Sequence, residues 1–104
     1  MKGLLLAAPL LVTLCCAPQD RSGAGNPASQ HCADNGGQLS IVRSNAGDTG
    51  YCLFPDASVC DEWAFFRGDC GKGQCITRCV PGQAGAESIR LDCQGTAVGY
   101  GCPL

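Results

Sequence analysis

Ten cysteines divide this chain of 104 residues into two unequal parts. Cys15 and Cys16 sit side by side at the end of an apolar run, and the other eight fall between Cys32 and Cys102. A chain this short buries limited apolar surface against its conformational entropy, so covalent links are a natural supplement. The even number, Cys32, Cys52, Cys60, Cys70, Cys75, Cys79, Cys93 and Cys102, predicts a disulfide frame, and such frames persist outside the reducing cytosol. Sequence leaves the pairing open. Four cysteines precede Gly71 and four follow it, and that parity predicts that each half closes its own bridges.

The beginning of the chain agrees with export. Lys2 places one positive charge ahead of an apolar stretch that runs to Leu14. That stretch is shorter than the about 20 residues a helix needs to cross a bilayer, and it has the layout of an export leader. Leu11 to Cys16 resembles a bacterial lipoprotein signal, in which the cysteine after the cut receives the lipid. The resemblance makes Cys16 the acceptor, with Cys15 the alternative; cleavage after Ala17 into a soluble secreted protein is the competing reading. Residues 1–16 are therefore read as leader, and residues 17–25, poor in apolar side chains, as a flexible tether. The expected location is the periplasm or cell envelope, with a lipid anchor in the membrane, or alternatively the secreted fraction.

Residues 26–70 read as a helix–hairpin–helix unit. Asn26 and Pro27 start a short helix through Ala28, Gln30, Cys32 and Ala33, and Gly36-Gly37 ends it. Leu39 to Arg43 is a first strand, Ser44 to Gly50 a turn by composition, and Tyr51 to Phe54 a second strand. Ser58 to Asp61 has a capping-box pattern, which predicts a helix from Val59 to Arg67 stopped by Gly68. Trp63, Phe65 and Phe66 are the expected core anchors; an exposed Trp63, with Arg67, is the alternative and would mark a binding surface.

These residues carry a family resemblance. Asn26 to Ser29, Cys32, Gly36-Gly37, Leu39, Ile41 and the run Tyr51 to Asp56 resemble the start of a small bacterial exported domain of unknown function (DUF333-like), often labelled hemolysin. The finish, Cys60-Asp61-Glu62-Trp63-Ala64-Phe65-Phe66-Arg67-Gly68-Asp69-Cys70, is its most specific part. Tyr51 and Cys52 are adjacent here, where the family usually has a glycine between aromatic and cysteine. The resemblance implies a short exported protein or lipoprotein and no defined chemistry; no residue accounts for membrane lysis.

Residues 71–104 form a cysteine-containing extension. Ile89 to Cys93 alternates like a strand, Gly95-Thr96 turns it into Ala97 to Tyr100, and Cys75 to Cys79 fits one helical turn or one face of a strand. The fold class is thus α+β: a small disulfide-rich domain, a helix–β-hairpin–helix core with a mostly β or irregular C-terminal extension.

No motif brings chemistry together. Tetrahedral zinc favours paired Cys units, and Cys75-x₃-Cys79 is a single one; in an exported chain oxidation is the better sink for its thiols. No stretch has the oxygen-ligand spacing of a calcium loop. His31 is read as a helix-surface histidine, and Asp61 and Glu62 as capping or solvated groups, since neighbours on a helix point apart. The net charge of −2 and the lack of a basic stripe argue against nucleic acid. The reading is a non-enzyme without metal or cofactor, an envelope or secreted module that binds an envelope protein or surface polymer. A secreted protease-inhibitor-like protein is the alternative, and a lytic factor the last.

Overall fold

Asn26 opens the first helix, α1 (Pro27–Asp34), because its Oδ1 accepts the amides of Ala28 and Ser29 at 2.9 and 3.1 Å. Pro27 follows at the first helical position, where a missing N–H costs nothing. The computed structural model that shows this describes residues 26–104. The leader with Cys15 and Cys16, and the tether at 17–25, lie outside the described residues. Ala28 and Cys32 stand one turn apart on α1 and are fully buried.

Two strands follow, β1 (Gln38–Ser44) and β2 (Gly47–Leu53), paired antiparallel from Gln38 opposite Leu53 to Ser44 opposite Gly47. The connection is only Asn45-Ala46, far tighter than the turn expected over Ser44 to Gly50. Gly47 takes φ 120°, Ser44 Oγ donates to the Gly47 carbonyl at 2.9 Å, and Arg43 pairs with Asp48 at 2.7 Å. Those contacts pull Gly47 to Gly50 into the ladder despite their loop-like composition.

The predicted helix from Val59 is corrected. Val59–Asp61 is a third strand, β3, and the helix α2 begins at Glu62 (Glu62–Arg67). Val59 lies opposite Leu53 and Cys60 opposite Cys52, so pairing on β2 wins over helix extension. The cap is Asp61, which accepts from Trp63 N at 2.9 Å and Ala64 N at 3.0 Å and contributes about 1 kcal/mol. Ser58 is committed elsewhere: its amide and hydroxyl donate to Asp56 Oδ1, holding that carboxyl below the usual carboxylate range, and its oxygen accepts from Gly73 N at 2.8 Å. Gly68, in the left-handed region at φ 85°, ends α2.

Alternation gives the sheet β1-β2-β3 two different faces. One carries Cys52 and Cys60 beneath the two helices. There the bridges Cys32–Cys52 and Cys60–Cys70 pack with Phe54 and Phe65 into a core built largely of sulfur. Gly37 runs so close to Cys32–Cys52 that a Cβ at this position would collide with both sulfurs.

The other face receives the extension. Its strands β4 (Arg78–Val80), β5 (Ile89–Leu91) and β6 (Ala97–Tyr100) form a second antiparallel sheet in that order. Asp92 Oδ1 accepts the Gln94 and Thr96 amides at 2.8 Å and shapes the turn between β5 and β6. Cys75–Cys93 and Cys79–Cys102 tie the extension internally, so no bridge crosses Gly71. The two halves meet instead through hydrogen bonds. Val59 N donates to Cys75 O at 2.9 Å, Thr77 N to Ala57 O at 2.8 Å, and Ser40 Oγ to Val98 O at 2.8 Å, beside a fully buried Val98.

Candidate functional site

Helix α2 has only six residues, too few to bury aromatic side chains on every side. Phe65 goes inward, with its ring edge-on to Phe54 at 5.0 Å. Trp63 and Phe66 are left outside at 41% and 43% exposure, which corrects the expectation that both anchor the core. The disulfides already fill the space an indole would have taken. Trp63 and Phe66 pack edge to face at 5.7 Å. Trp63, Phe66 and Arg67 follow the i, i+3, i+4 spacing and so share one outward stripe. Arg67 Nε donates to Asp69 Oδ2 at 3.0 Å in an exposed pair that holds the guanidinium near the helix end.

His31 buttresses this face from behind. It lies in the last turn of α1 and is half-buried, so it is only partly the surface histidine expected. Its ring stacks obliquely on Phe65 at 4.7 Å and meets Phe66 edge-on at 5.6 Å. An aromatic ladder therefore runs from Trp63 at the surface through Phe66, His31 and Phe65 to Phe54 in the core. Rings locked in this way lose little conformational freedom when a partner covers them.

Asp61 and Glu62 do not act as a pair. Asp61 is exposed and caps α2, whereas Glu62 is buried, 5% exposed. Glu62 Oε1 accepts from Ser29 Oγ at 2.7 Å, Oε2 meets Asn26 Nδ2 at 3.5 Å, and the carboxylate lies where a Cβ on Gly50 would stand. It ties α1, α2 and β2 together. Nothing in the sequence separates this buried acid from its exposed neighbour; the missing side chain at Gly50 is the one local clue.

An open cleft of about 460 Å³ lies where the two halves meet, lined by Tyr51, Asp61 and Asp92 and by the bridges Cys60–Cys70 and Cys75–Cys93. Burial, then the nearby Asp61 and Asp92 carboxylates, push the Tyr51 phenol above its ordinary value. Both aspartates already spend an oxygen on backbone amides. Among the described residues no three His, Cys, Asp or Glu side chains converge on a metal-sized point, and no helix is long and apolar enough to cross a membrane.

The uncharacterized protein YoaF of Escherichia coli K12 is 38% identical over 52 residues, covering 50% of this chain and 62% of the relative. YoaF of Escherichia coli O6:H1 and YoaF of Shigella flexneri match to the same extent. The chain thus spans less than two thirds of the length of these relatives. No solved structure matches. The helices, the first sheet and the exposed aromatic stripe coincide with the stretch that matches a described family: residues 23–69 are similar to the domain of unknown function DUF333.

Proposed function

We propose that this protein is a non-enzymatic binding module of the cell envelope, held at a membrane through a lipid on Cys16, with the stripe of Trp63, Phe66 and Arg67 as its contact surface. The observation that carries the reading is the exposure of Trp63 and Phe66 on a frame pinned by two bridges. Trp and Arg dominate the energetics of protein interfaces, where rigid, ringed anchors fill pockets of the partner. A protein partner in the envelope fits this pair better than a nucleic acid, given the net charge of −2.

Capture from envelope extracts with the folded chain tests the surface. The native protein is expected to retain a saturable protein partner. Trp63→Ala, which removes a side chain 41% exposed, keeps most of its stability, losing about 1–2 kcal/mol, yet weakens capture at least tenfold. Equal capture by the native and Trp63→Ala proteins eliminates this surface. The anchor has its own readout. Intact-mass analysis of membrane-extracted protein is expected to show a mature chain beginning at Cys16 with added acyl mass, and a chain beginning at Pro18 without it eliminates the lipid.

A further inference from the structure

Arg90 is the half-buried cation at the junction of the two sheets, and its surroundings differ from those of Arg43 and Arg67. Those two each pair with an exposed aspartate, whereas Arg90 has no carboxylate partner among the described residues. One of its nitrogens, Nη1, donates to Thr77 Oγ1 at 2.8 Å. Thr77 is itself buried and its hydroxyl donates a hydrogen bond to the Ala57 carbonyl at 2.8 Å, so the chain from Arg90 to Thr77 to Ala57 fixes the guanidinium from behind. Ala57 holds that carbonyl in place from the left-handed region, φ 74°, which is unusual for a residue other than glycine. The remaining N–H groups of Arg90, Nε and Nη2 included, make no protein hydrogen bond among the described residues.

Two clefts open on this one guanidinium. The first, about 420 Å³, has Leu53, Phe54, Pro55 and Ala57 as apolar walls; the second, about 320 Å³, runs between Gln38 to Ser40 of β1 and Gly99 to Pro103. Arg90, Gln38 and Leu53 line both. Gly99 stands opposite Arg90 in the neighbouring strand, and Ser40 Oγ and the Arg90 Cβ close in on the place a side chain would take. β1 is an edge strand of its sheet, so a groove alongside it offers backbone groups to an extended chain.

We infer that this groove is a second binding site, distinct from the aromatic stripe, for the free C-terminal carboxylate of an extended, uncharged peptide segment. A single planar guanidinium matches a carboxylate, a singly charged planar fork, and is short of charge for a phosphate dianion. The apolar walls suit aliphatic side chains beside that carboxylate. Gln38, exposed at the same neck, supplies an amide for the adjoining peptide group.

The test is an NMR titration of the folded chain with acetyl-leucyl-leucine, its C-terminal amide, hexanoate and inorganic phosphate. The free acid is expected to shift the Arg90 Nε–H and Gln38 side-chain signals saturably in the millimolar range or below. The amide, hexanoate and phosphate should each bind at least tenfold more weakly. In Arg90→Gln, checked for retention of all four bridges and a native spectrum, affinity for the acid falls at least tenfold; Arg90→Lys, which keeps the charge and loses the fork, falls by a smaller factor. Equal binding of acid and amide, or equal binding of hexanoate or phosphate, overturns the assignment, and so does undiminished binding by folded Arg90→Gln. The comparison of acid with amide uses the native protein, so the result stands even where a variant fails to fold. None of these readouts involves Trp63.

Discussion

Replacing Cys32 and Cys52 together with alanine is expected to lower the unfolding free energy by about 3–5 kcal/mol. The bridge closes a loop with a sequence separation of 20, and cross-linking a loop of that size removes roughly 3 kcal/mol worth of freedom from the unfolded chain. Both cysteines are also fully buried against Phe54 and Cys60, so their removal leaves a cavity that the short helices cannot collapse into. In a domain of this size each kcal/mol moves the melting temperature by roughly 4–8 °C, and the variant should melt some 15–30 °C lower or fail to fold. The matched control is Cys75→Ala with Cys93→Ala. Its sequence separation is 18, nearly the same loop, but Cys93 is exposed. Cys75 is partly buried, so the entropic part should be nearly equal and the burial part much smaller, for a loss of about 2–3 kcal/mol. Urea denaturation of both variants separates the two contributions. Equal losses would mean that sulfur burial adds nothing and that the core is held by loop closure alone.

This sulfur core also explains what the sequence revealed and what it did not. Local chemistry was readable. Asn26-Pro27 caps α1, Gly68 stops α2, and the alternation from Ile89 to Leu91 is strand β5, because each is set by residues within a turn of each other. The parity of cysteines about Gly71 matches the observed pairing for a similar reason: two halves with their own sheets close their own loops. What depended on distant partners was not readable. Val59 and Cys60 fit a helix by themselves and become β3 only because Leu53 and Cys52 await them. Gly47 to Gly50 look like a loop and are strand, since Ile41 to Ser44 of β1 pair with them, and the bare Gly50 leaves room for Glu62, a dozen residues on. Aromatic character predicts burial for Trp63 wherever a core is made of hydrocarbon; here cystines take that volume and leave the indole outside. Arg90 reads in sequence as one more residue of an alternating strand, and its two clefts exist only once the extension docks on the first sheet.

Glu62→Ala should be the costliest single substitution of a polar residue in the first half, at about 2–4 kcal/mol. The carboxylate is 5% exposed, and its loss strands the Ser29 hydroxyl and the Asn26 amide while opening a void beside Gly50. Hydrogen bonds to a charged acceptor carry more than neutral ones, and unpaired buried donors add their own desolvation penalty. Glu62→Gln keeps the shape and an acceptor for Ser29, so it should lose only about 1 kcal/mol. Gly50→Ala reaches the same point from the other side, because its new Cβ must displace the carboxylate. In Glu62→Ala that obstacle is gone, and the methyl partly refills the void. The double variant should therefore be more stable than the sum of the two single losses predicts, with a coupling of about 1–2 kcal/mol measured by denaturant unfolding. Strict additivity would show that the carboxylate moves aside freely and that Gly50 is not its shelf. A coupling of the expected sign assigns Glu62 to the scaffold that positions α2, and so to the geometry of Trp63 and Arg67, and leaves Asp61 as the only carboxylate of the pair facing solvent.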